Sequence, residues 1–195
     1  MSPPQNVDLG KLCLLGVEDG SFKAFQRRPE SLTYLCCVQM EGREIREVQL
    51  APIEVDGMDA TDKLLAMVDG KTADAVILGG ITFAGFNVID PHRVLQKTGA
   101  PVIVYSGREP DSGAMILALR KHFSDWERRW GIIEGLGRIY EAVTMPGEPP
   151  VHFEVVGCSA GWAEGVLRSS ALVCRIPEPV RVAGIIARGV SPVTC

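Results

Sequence analysis

The sequence predicts an α/β protein with one mixed β-sheet and helices on both faces of that sheet. Near the start of the chain, apolar runs and alternating apolar positions predict three strands in succession. Farther along, short buried strands alternate with helical segments, which is the pattern of βα units. The chain has 195 residues, 46% of them hydrophobic, which is enough for one sizeable core. We therefore expect a single domain over residues 1–195.

The first three strands are predicted to pair with one another. Residues Lys11–Val17 form a near-continuous apolar run, as in a fully buried strand. Residues Ser31–Met40 and Ile45–Val55 alternate between apolar and polar positions, and the turn sequence EGRE (41–44) joins them into a hairpin. Pro52 cannot donate a ladder hydrogen bond, so the later part of the third strand is expected at an edge or a bulge.

The next segment predicts βα units. A helix is expected between Asp59 and Gly70, followed by the buried strand DAVILG (74–79). A second helix is expected to begin at Asp90–Pro91, where aspartate suits the N-cap and proline the first helical position, and to end at Gly99. The strand that follows this helix is expected to run parallel to its predecessor, because a helix separates the two.

The rest of the chain contributes that strand, four helices and two more strands. We predict strands at PVIVYS (101–106), IYEAVTM (139–145) and VHFEVVG (151–157), and helices at Asp111–Phe123, Ser124–Leu136, Ala160–Leu172 and Pro179–Ala187.

Three antiparallel strands followed by βα units are the layout of the ribonuclease H-like fold. In that layout the first and fourth strands are neighbours and run in the same direction, so their carboxyl ends meet. This brings VEDG (17–20) against GGITF (79–83). The meeting point of such strand ends is where open α/β sheets usually place their ligands, so we expect the functional site there.

Composition narrows the possible functions. The net charge of −4 and the pI of about 5.4 argue against a broad basic surface, so any phosphate-binding surface would be a local patch. No apolar run is long enough to span a membrane, and the first residues lack a signal-peptide layout, so we expect a cytoplasmic protein without a membrane partner. The six cysteines lack zinc-site spacing and are read as buried free thiols, with a disulfide open if the source is a hyperthermophile.

Four stretches of the chain resemble the motifs of an archaeal family, the endonuclease dU family, which is distantly similar to endonuclease V. They are GVEDGSF (16–22), VDGMDATD (55–62), GGITFAGFNVID (79–90) and PEPVRVAGIIARG (177–189). The resemblance covers nearly the whole chain, in order. It implies a ribonuclease H-like fold and Mg²⁺- or Mn²⁺-dependent cleavage of DNA or RNA beside a deaminated base, and hence a role in DNA repair.

The chain departs from the motifs of this family at two positions. The first strand of the family ends in Val-Asp-Asp-Gly and the fourth in Leu-Asp-Gly, whereas here Glu18 stands for the leading aspartate and Gly79 for the aspartate of the fourth strand. Glycine supplies neither charge nor ligand to a metal, and the glutamate moves its carboxylate by about 1.5 Å. Two functions therefore stay open: a metal-dependent endonuclease acting on a damaged or deaminated base, or a catalytically degenerate member that binds nucleic acid or a protein partner without cleaving.

For a catalytic site, the resemblance and the strand layout point to acids. Glu18, Asp19 and Asp56 are the predicted catalytic residues, and together with Asp59 they are the predicted ligands of Mg²⁺ or Mn²⁺, since Mg²⁺ prefers hard oxygen ligands. Each has a structural alternative: a plain N-cap for Asp59, a turn aspartate for Asp56, and a structural acid pair for Glu18 and Asp19.

Four residues are predicted to contact the nucleic acid. Gly79 and Gly80 belong to the glycine loop, which follows the fourth predicted strand and also contains Gly85; they permit close backbone approach, although positive φ angles would also explain glycine in this loop. Asn87 is suited to hydrogen bonds with a phosphate or base, or to stabilising its own loop, and Arg108 to neutralising a phosphate, or to plain solvation.

Two further readings are weaker. Trp126 and Trp130, with Arg128 and Arg129 beside them, favour core packing over stacking on bases, because they lie one helical turn apart. A small-molecule enzyme that uses the glycine loop for phosphate is disfavoured, because neither G-x-G-x-x-G nor a Walker-type Lys-Ser/Thr accompanies the loop.

Overall fold

The computed structural model describes residues 7, 8, 10, 12–23 and 32–191. Lys11 and Ser31, the predicted first residues of two strands, and Cys195 lie outside these residues. The strands are β1 (Cys13–Asp19), β2 (Leu32–Glu41), β3 (Glu44–Glu54), β4 (Ala75–Leu78), β5 (Thr82–Phe83), β6 (Asn87–Val88), β7 (Val102–Ser106), β8 (Tyr140–Ala142) and β9 (Val151–Val156). The helices are α1 (Ala60–Met67), α2 (Pro91–Thr98), α3 (Ser112–His122), α4 (Trp126–Glu134), α5 (Ala160–Ser170) and α6 (Glu178–Val190).

Seven of these strands form one mixed sheet in the order β3-β2-β1-β4-β7-β9-β8. The pairs β1–β2 and β2–β3 are antiparallel, and the pairs β1–β4 and β4–β7 are parallel. The predicted hairpin, the adjacency of the first and fourth strands and the edge position of the strand that contains Pro52 are therefore confirmed. The last two strands of the sheet return antiparallel beside β7.

Helices cover both faces of the sheet, as predicted. Helices α1 to α4 pack on one face through a core that includes Leu64, Val94, Leu119 and Ile133. Helices α5 and α6 pack on the other face through Val166, Leu167, Val180 and Ala183. Gly16 allows α6 to lie directly on β1, because a Cβ at this position would overlap the backbone of Pro179.

Local chemistry sets most helix ends. The Asp90 side chain accepts hydrogen bonds from the amides of His92 and Arg93, and Gly99 ends α2 in a left-handed conformation, so both predicted signals are confirmed. Asp59 stands at the N-cap of α1 but its side chain makes no capping hydrogen bond. The short hairpin of β5 and β6 inside the glycine loop was not predicted.

The remaining fold predictions concern tryptophans, cysteines and membranes. Trp126 and Trp130 are partly buried and pack against the core, as the core-packing interpretation expected. The cysteines among the described residues are free thiols. Within the described part of the chain, no helix has the length and apolar character needed to cross a membrane.

Candidate functional site

The carboxyl ends of β1, β3, β4 and β7 all lie at one edge of the sheet, because these four strands run in the same direction. This edge carries two groups of acidic residues. Glu18 and Asp19 end β1, and Asp56 and Asp59 follow β3. The antiparallel strand β2 separates the two groups.

Glu18 occupies the space that Gly79 leaves open. The backbone amide of Gly79 donates to Val17 O at 2.9 Å, which fixes the two strand ends together. A Cβ added at Gly79 would overlap Glu18 Oε2 and lie 2.8 Å from Glu18 Cδ. A Cβ at Gly184 of α6 would lie 2.9 Å from Glu18 Cγ. The Glu18 side chain is therefore held between two glycines, and its carboxyl group lies beside the end of β4, where the resemblance had led us to expect an aspartate.

The pKa values of Glu18 and Asp19 are both raised above those of ordinary carboxyl groups. Burial of the carboxyl group, with the neighbouring Asp19 charge as the next cause, raises the pKa of Glu18 to about 8. Burial also raises the pKa of Asp19, against the hydrogen bond from the Ala84 amide, which lowers it. Glu18 Oε1 accepts a hydrogen bond from the Asp19 amide at 3.2 Å. Two adjacent carboxyl groups that resist ionisation form an environment that favours a bound cation or a shared proton.

Arg188 is the positive charge beside this pair, and sequence reasoning missed it. Its exposed guanidinium comes from the last turn of α6, close to Gly184, and its charge lowers the pKa of both acids. It lies in the motif PEPVRVAGIIARG, so the signal was present in the sequence. The packing of α6 on β1 is what directs it to the strand end.

The second acidic group holds the glycine loop in place. The Ala84 amide donates a hydrogen bond to Asp19 Oδ2, and Ala84 O accepts one from the Asp56 amide at 2.8 Å. Asp56 Oδ1 in turn accepts from the Phe86 amide at 3.0 Å. Asp56, Ala84 and Gly85 all have positive φ angles, and a Cβ at Gly85 would overlap Asp56 Oδ1, which accounts for this glycine. Asp19 and Asp56 thus bind the same loop from opposite sides.

Asn87 and Asp59 form a buried hydrogen-bonded pair. Asn87 has no solvent-exposed surface, and its Nδ2 donates to Asp59 Oδ1 at 2.6 Å and to Glu54 O at 2.9 Å. Its Oδ1 accepts from the Ala60 amide at 3.0 Å, so Asn87 supplies the cap that Asp59 does not. Burial and these internal hydrogen bonds use the Asn87 amide as the loop-stabilising alternative expected, and its contact with a nucleic acid stays a prediction.

Arg129 completes this second group and was also missed as a site component. It is 5% exposed and donates to Gly57 O at 2.9 Å and to Phe86 O at 2.6 Å. Asp125 accepts from its Nε at 3.0 Å, and its guanidinium lies over the Phe123 ring. The side chain locks two loops to α4, so it is not available for stacking on a base.

The other two predicted contact residues lie at the same edge of the sheet. Gly80 follows Gly79 and lines a cavity of about 320 Å³ between the sheet and helices α3 and α4. Arg108 follows the carboxyl end of β7 and is exposed to solvent. Both therefore lie at the edge of the sheet that carries the acidic residues, and their contact with a nucleic acid stays a prediction.

The predicted four-acid metal site is not assembled. Among the described residues, no group of three or more His, Cys, Asp or Glu side chains is arranged to hold a metal ion. Asp56 and Asp59 are engaged by the Phe86 amide and by Asn87. Glu18 and Asp19 nevertheless fit Mg²⁺ in the way it commonly binds, through one or two carboxylates with several waters retained.

The sequence family is shown by direct comparison. The family model described as endonuclease dU matches residues 11–191. A UPF0215 protein of Pyrococcus furiosus is 36% identical over 181 residues, covering 91% of each chain. A UPF0215 protein of Methanothermobacter thermautotrophicus is 35% identical over 182 residues, covering 91% of this chain and 87% of the relative.

Solved structures share the fold. A protein of unknown function from Archaeoglobus fulgidus superposes with a TM-score of 0.78 at 30% identity, covering 91% of this chain and 96% of that one. Endonuclease V of Ciona intestinalis, bound to a 24mer DNA containing inosine followed by a ribo-adenosine, gives a TM-score of 0.57 at 14% identity, with coverages of 91% and 85%. The second likeness concerns the fold alone. The motifs, the family match and the curated relatives agree, and the chain belongs to the endonuclease dU family.

Proposed function

We propose that this protein is an endonuclease that acts on nucleic acid, that it uses Mg²⁺ or Mn²⁺, and that its target is a damaged or deaminated base of the deoxyuridine or inosine type. Family membership supports the endonuclease class. The strand order β3-β2-β1-β4-β7 supports the ribonuclease H-like version of the fold. A single domain and a cytoplasmic location remain predictions that accompany this proposal.

One observation carries the proposal: the Glu18–Asp19 pair at the end of β1. The pair lies at the parallel strand ends, where the pKa of each acid is raised. A divalent cation would be held by these two carboxylates and would supply charge to activate water and to stabilise the leaving oxygen. Glu18 is included in the proposed cation site because its carboxyl group fills the space beside Gly79.

The surrounding residues have separate tasks in this proposal. Arg188, exposed beside the acid pair, would bind a phosphate of the backbone, with Arg108 as a second contact at the end of β7. Asp56 and Asn87 would act as positioning residues, because they hold the loop whose Ala84 amide orients the Asp19 carboxylate.

The competing function is binding without cleavage. Glycine at position 79 and the lack of a three-acid cluster among the described residues favour it. The position of Glu18 favours the enzyme, because this longer acid places its carboxyl group beside Gly79.

The test is cleavage of labelled oligonucleotides containing one deoxyuridine, one deoxyinosine or no lesion, with Mg²⁺ or Mn²⁺. We expect wild-type protein to cut beside a lesion. Glu18→Gln keeps the size of the side chain but removes its charge, so we expect a loss of more than about 100-fold, beyond the effect usual for outer partners of a metal site.

Glu44→Gln is the matched control, because Glu44 is an exposed acid of the β2–β3 hairpin at the opposite end of the sheet. It should cut like wild type. Binding of the same oligonucleotides is measured in parallel. Tight binding with no cleavage by wild type under either metal would overturn the proposal in favour of the binding function.

A further inference from the structure

Glu18, Gly79 and Tyr105 lie in one row at the carboxyl ends of β1, β4 and β7. The residues immediately before them are paired across these three strands, which fixes the row. Glu18 and Tyr105 both point to the face of the sheet that α5 and α6 cover. Gly79, on the strand between them, has no side chain, and strands two apart in a sheet are about 10 Å from each other. Tyr105 is therefore the next side chain beyond Glu18 in this row.

The hydroxyl group of Tyr105 has no partner within the described part of the protein. The residue is 5% exposed, and no described residue forms a hydrogen bond with its Oη atom. Tyrosine hydroxyl groups in buried positions usually have a partner. Among the described residues, His152 Nδ1 is the side-chain atom that is both fully enclosed and unpaired, so Tyr105 Oη keeps some contact with solvent. A ligand can therefore reach this hydroxyl group and accept its hydrogen bond.

Arg175, in the segment between α5 and α6, brings a positive charge to the same place. Its Nη1 donates to Pro150 O at 2.9 Å and to Pro149 O at 3.4 Å, and its backbone amide donates to Glu148 Oε2 at 3.3 Å. These contacts hold the guanidinium in a fixed orientation. No carboxylate of the described residues forms an ion pair with it, and its Nη2 makes no hydrogen bond to them. The charge of Arg175 is therefore left for an anion from outside the chain.

Gly107 lies beside both of these groups. A Cβ at this position would be 3.4 Å from Tyr105 Oη and 3.7 Å from Arg175 Nη2. The backbone amide of Gly107 follows the end of β7 and makes no hydrogen bond to any residue that the structure describes. Three donors without internal partners are thus gathered around one glycine: a hydroxyl group, a guanidinium nitrogen and a backbone amide.

We propose that Tyr105 Oη, Arg175 Nη2 and the Gly107 amide bind a phosphate of the nucleic-acid backbone next to Glu18. The inference rests on the proposed function, because it takes nucleic acid as the partner. Phosphate oxygens accept hydrogen bonds from guanidinium, hydroxyl and backbone N–H groups, and these are the three donors present. Burial raises the pKa of Tyr105 to about 12, so its hydroxyl group keeps its proton and donates near neutral pH.

A phosphate at this position would set the path of the backbone over the sheet. Glu18 and Asp19 end β1, whereas Tyr105 and Gly107 belong to β7 and the turn after it. Strand β4 lies between these two strands and ends in Gly79, which presents no side chain. The backbone would therefore cross the carboxyl ends of β1, β4 and β7 in turn. Tyr105 and Arg175 would act as positioning residues for the proposed cleavage.

The experiment measures binding of a labelled oligonucleotide without a lesion to the whole protein in metal-free buffer. The oligonucleotide is used as a single strand and as a duplex, and its fluorescence anisotropy is recorded over a series of salt concentrations. The slope of log affinity against log salt counts the phosphates that the protein neutralises, at about 0.9 for each phosphate of a duplex. Neither cleavage nor a modified base is needed for this measurement.

Two variants give different signatures. Arg175→Gln removes the charge, so we expect duplex affinity to fall about tenfold and the magnitude of the salt slope to fall by about one. Tyr105→Phe removes a neutral donor that releases no counterion, so we expect a loss of about threefold to tenfold with an unchanged salt slope. Both losses should be equal for oligonucleotides with and without a lesion, because a phosphate contact does not read the base.

Each variant has a matched control. Tyr140→Phe is the same change in the same row of the sheet, two strands farther from Glu18 than Tyr105, and should bind as wild type does. Arg43→Gln removes an exposed arginine at the turn between β2 and β3, at the opposite end of the sheet, and should also match wild type. Thermal melting of Tyr105→Phe should coincide with that of wild type, because Oη has no partner among the described residues.

The outcomes separate this inference from the proposed function. Weaker binding by Tyr105→Phe at unchanged thermal stability supports the phosphate site even if no oligonucleotide is cut, and this variant decides the question if Arg175→Gln fails to fold. Wild-type affinity and salt slope in both variants overturn the inference and leave the cleavage proposal standing. Absence of binding by wild type also overturns it, and the cleavage assay with Mg²⁺ or Mn²⁺ then decides on the proposed function separately.

Discussion

Two acidic groups at the same edge of the sheet differ in how their carboxyl groups are satisfied. Asp56 and Asp59 accept hydrogen bonds from the Phe86 amide and from Asn87. Glu18, in contrast, has one long hydrogen bond to the Asp19 amide and a pKa raised to about 8. Glu18 therefore keeps hydrogen-bonding capacity that the fold does not use, as the proposed cation site requires, whereas Asp56 and Asp59 use theirs to hold the neighbouring loop and helix start.

The positions of the two acidic groups in the sheet explain why their carboxyl groups differ in hydrogen bonding. Glu18 and Asp19 end a central strand that α6 covers directly, so the two residues are partly buried with few backbone donors nearby. Asp56 and Asp59 follow an edge strand, and donors are close to both: the Phe86 amide donates to Asp56, and the Glu54 amide and the Asn87 side chain donate to Asp59. Burial without donors raises the pKa of an acid, and donors lower it.

The largest expected effect is a loss of stability when Asn87, which is hydrogen-bonded to Asp59, is truncated. Asn87→Ala removes the acceptor of the Ala60 amide and the donor to Asp59 and Glu54, leaving buried polar groups unpaired. We expect the free energy of unfolding to fall by about 2–4 kcal/mol, measured by urea denaturation. Gln96→Ala, an exposed position on α2, is the control and should change it by less than about 0.5 kcal/mol. Equal stability of both variants would show that the network is dispensable.

The next effect concerns the fit between Glu18 and Gly79. Gly79→Asp alone places a Cβ where Glu18 Oε2 lies and adds a third acid, so we expect Mn²⁺ affinity to fall at least about tenfold while the fold is kept, because the end of a flexible side chain can move. Combining it with Glu18→Asp removes one methylene and should restore Mn²⁺ binding in calorimetry. If Gly79→Asp alone binds Mn²⁺ as tightly as the double variant does, the Glu18 and Gly79 side chains do not compete for the same space.

A third expected effect is a pH dependence of stability. The folded-state pKa of Glu18, about 8, lies above its ordinary value of 4.5, so this group stabilises the fold most below pH 4.5 and its contribution is lost as pH rises through 8. In metal-free buffer, stability should therefore decline between pH 5 and 8. Glu18→Gln should make that decline shallower by up to about one proton. If stability falls with pH equally in wild type and in Glu18→Gln, the pKa of Glu18 is not raised in the folded protein.

Much of the fold followed from local patterns in the sequence. The Asp90–Pro91 start and the Gly99 stop of α2, the EGRE hairpin and the edge strand with Pro52 are set by backbone chemistry, which neighbouring residues encode. The site was predictable in part, since parallel strand ends meet at one edge. The alternatives for Asn87 stayed open, and Arg129 and Arg188 were missed as site components, because the contacts that bring these residues to the site are with residues 27 or more positions away in the chain.

The sequence by itself determined the α/β class, the strand ends that meet at the edge carrying Glu18 and Asp19, and the family motifs with their two departures at Glu18 and Gly79. Only the tertiary structure decided what those departures mean, because the glutamate fills the space of the missing side chain from a neighbouring strand. It also decided which acids accept hydrogen bonds, and it placed Glu154 at a cavity wall without a hydrogen bond or ion pair to any residue that the structure describes. Burial and hydrogen-bond partners depend on residues far apart in the chain, and packing alone brings them together.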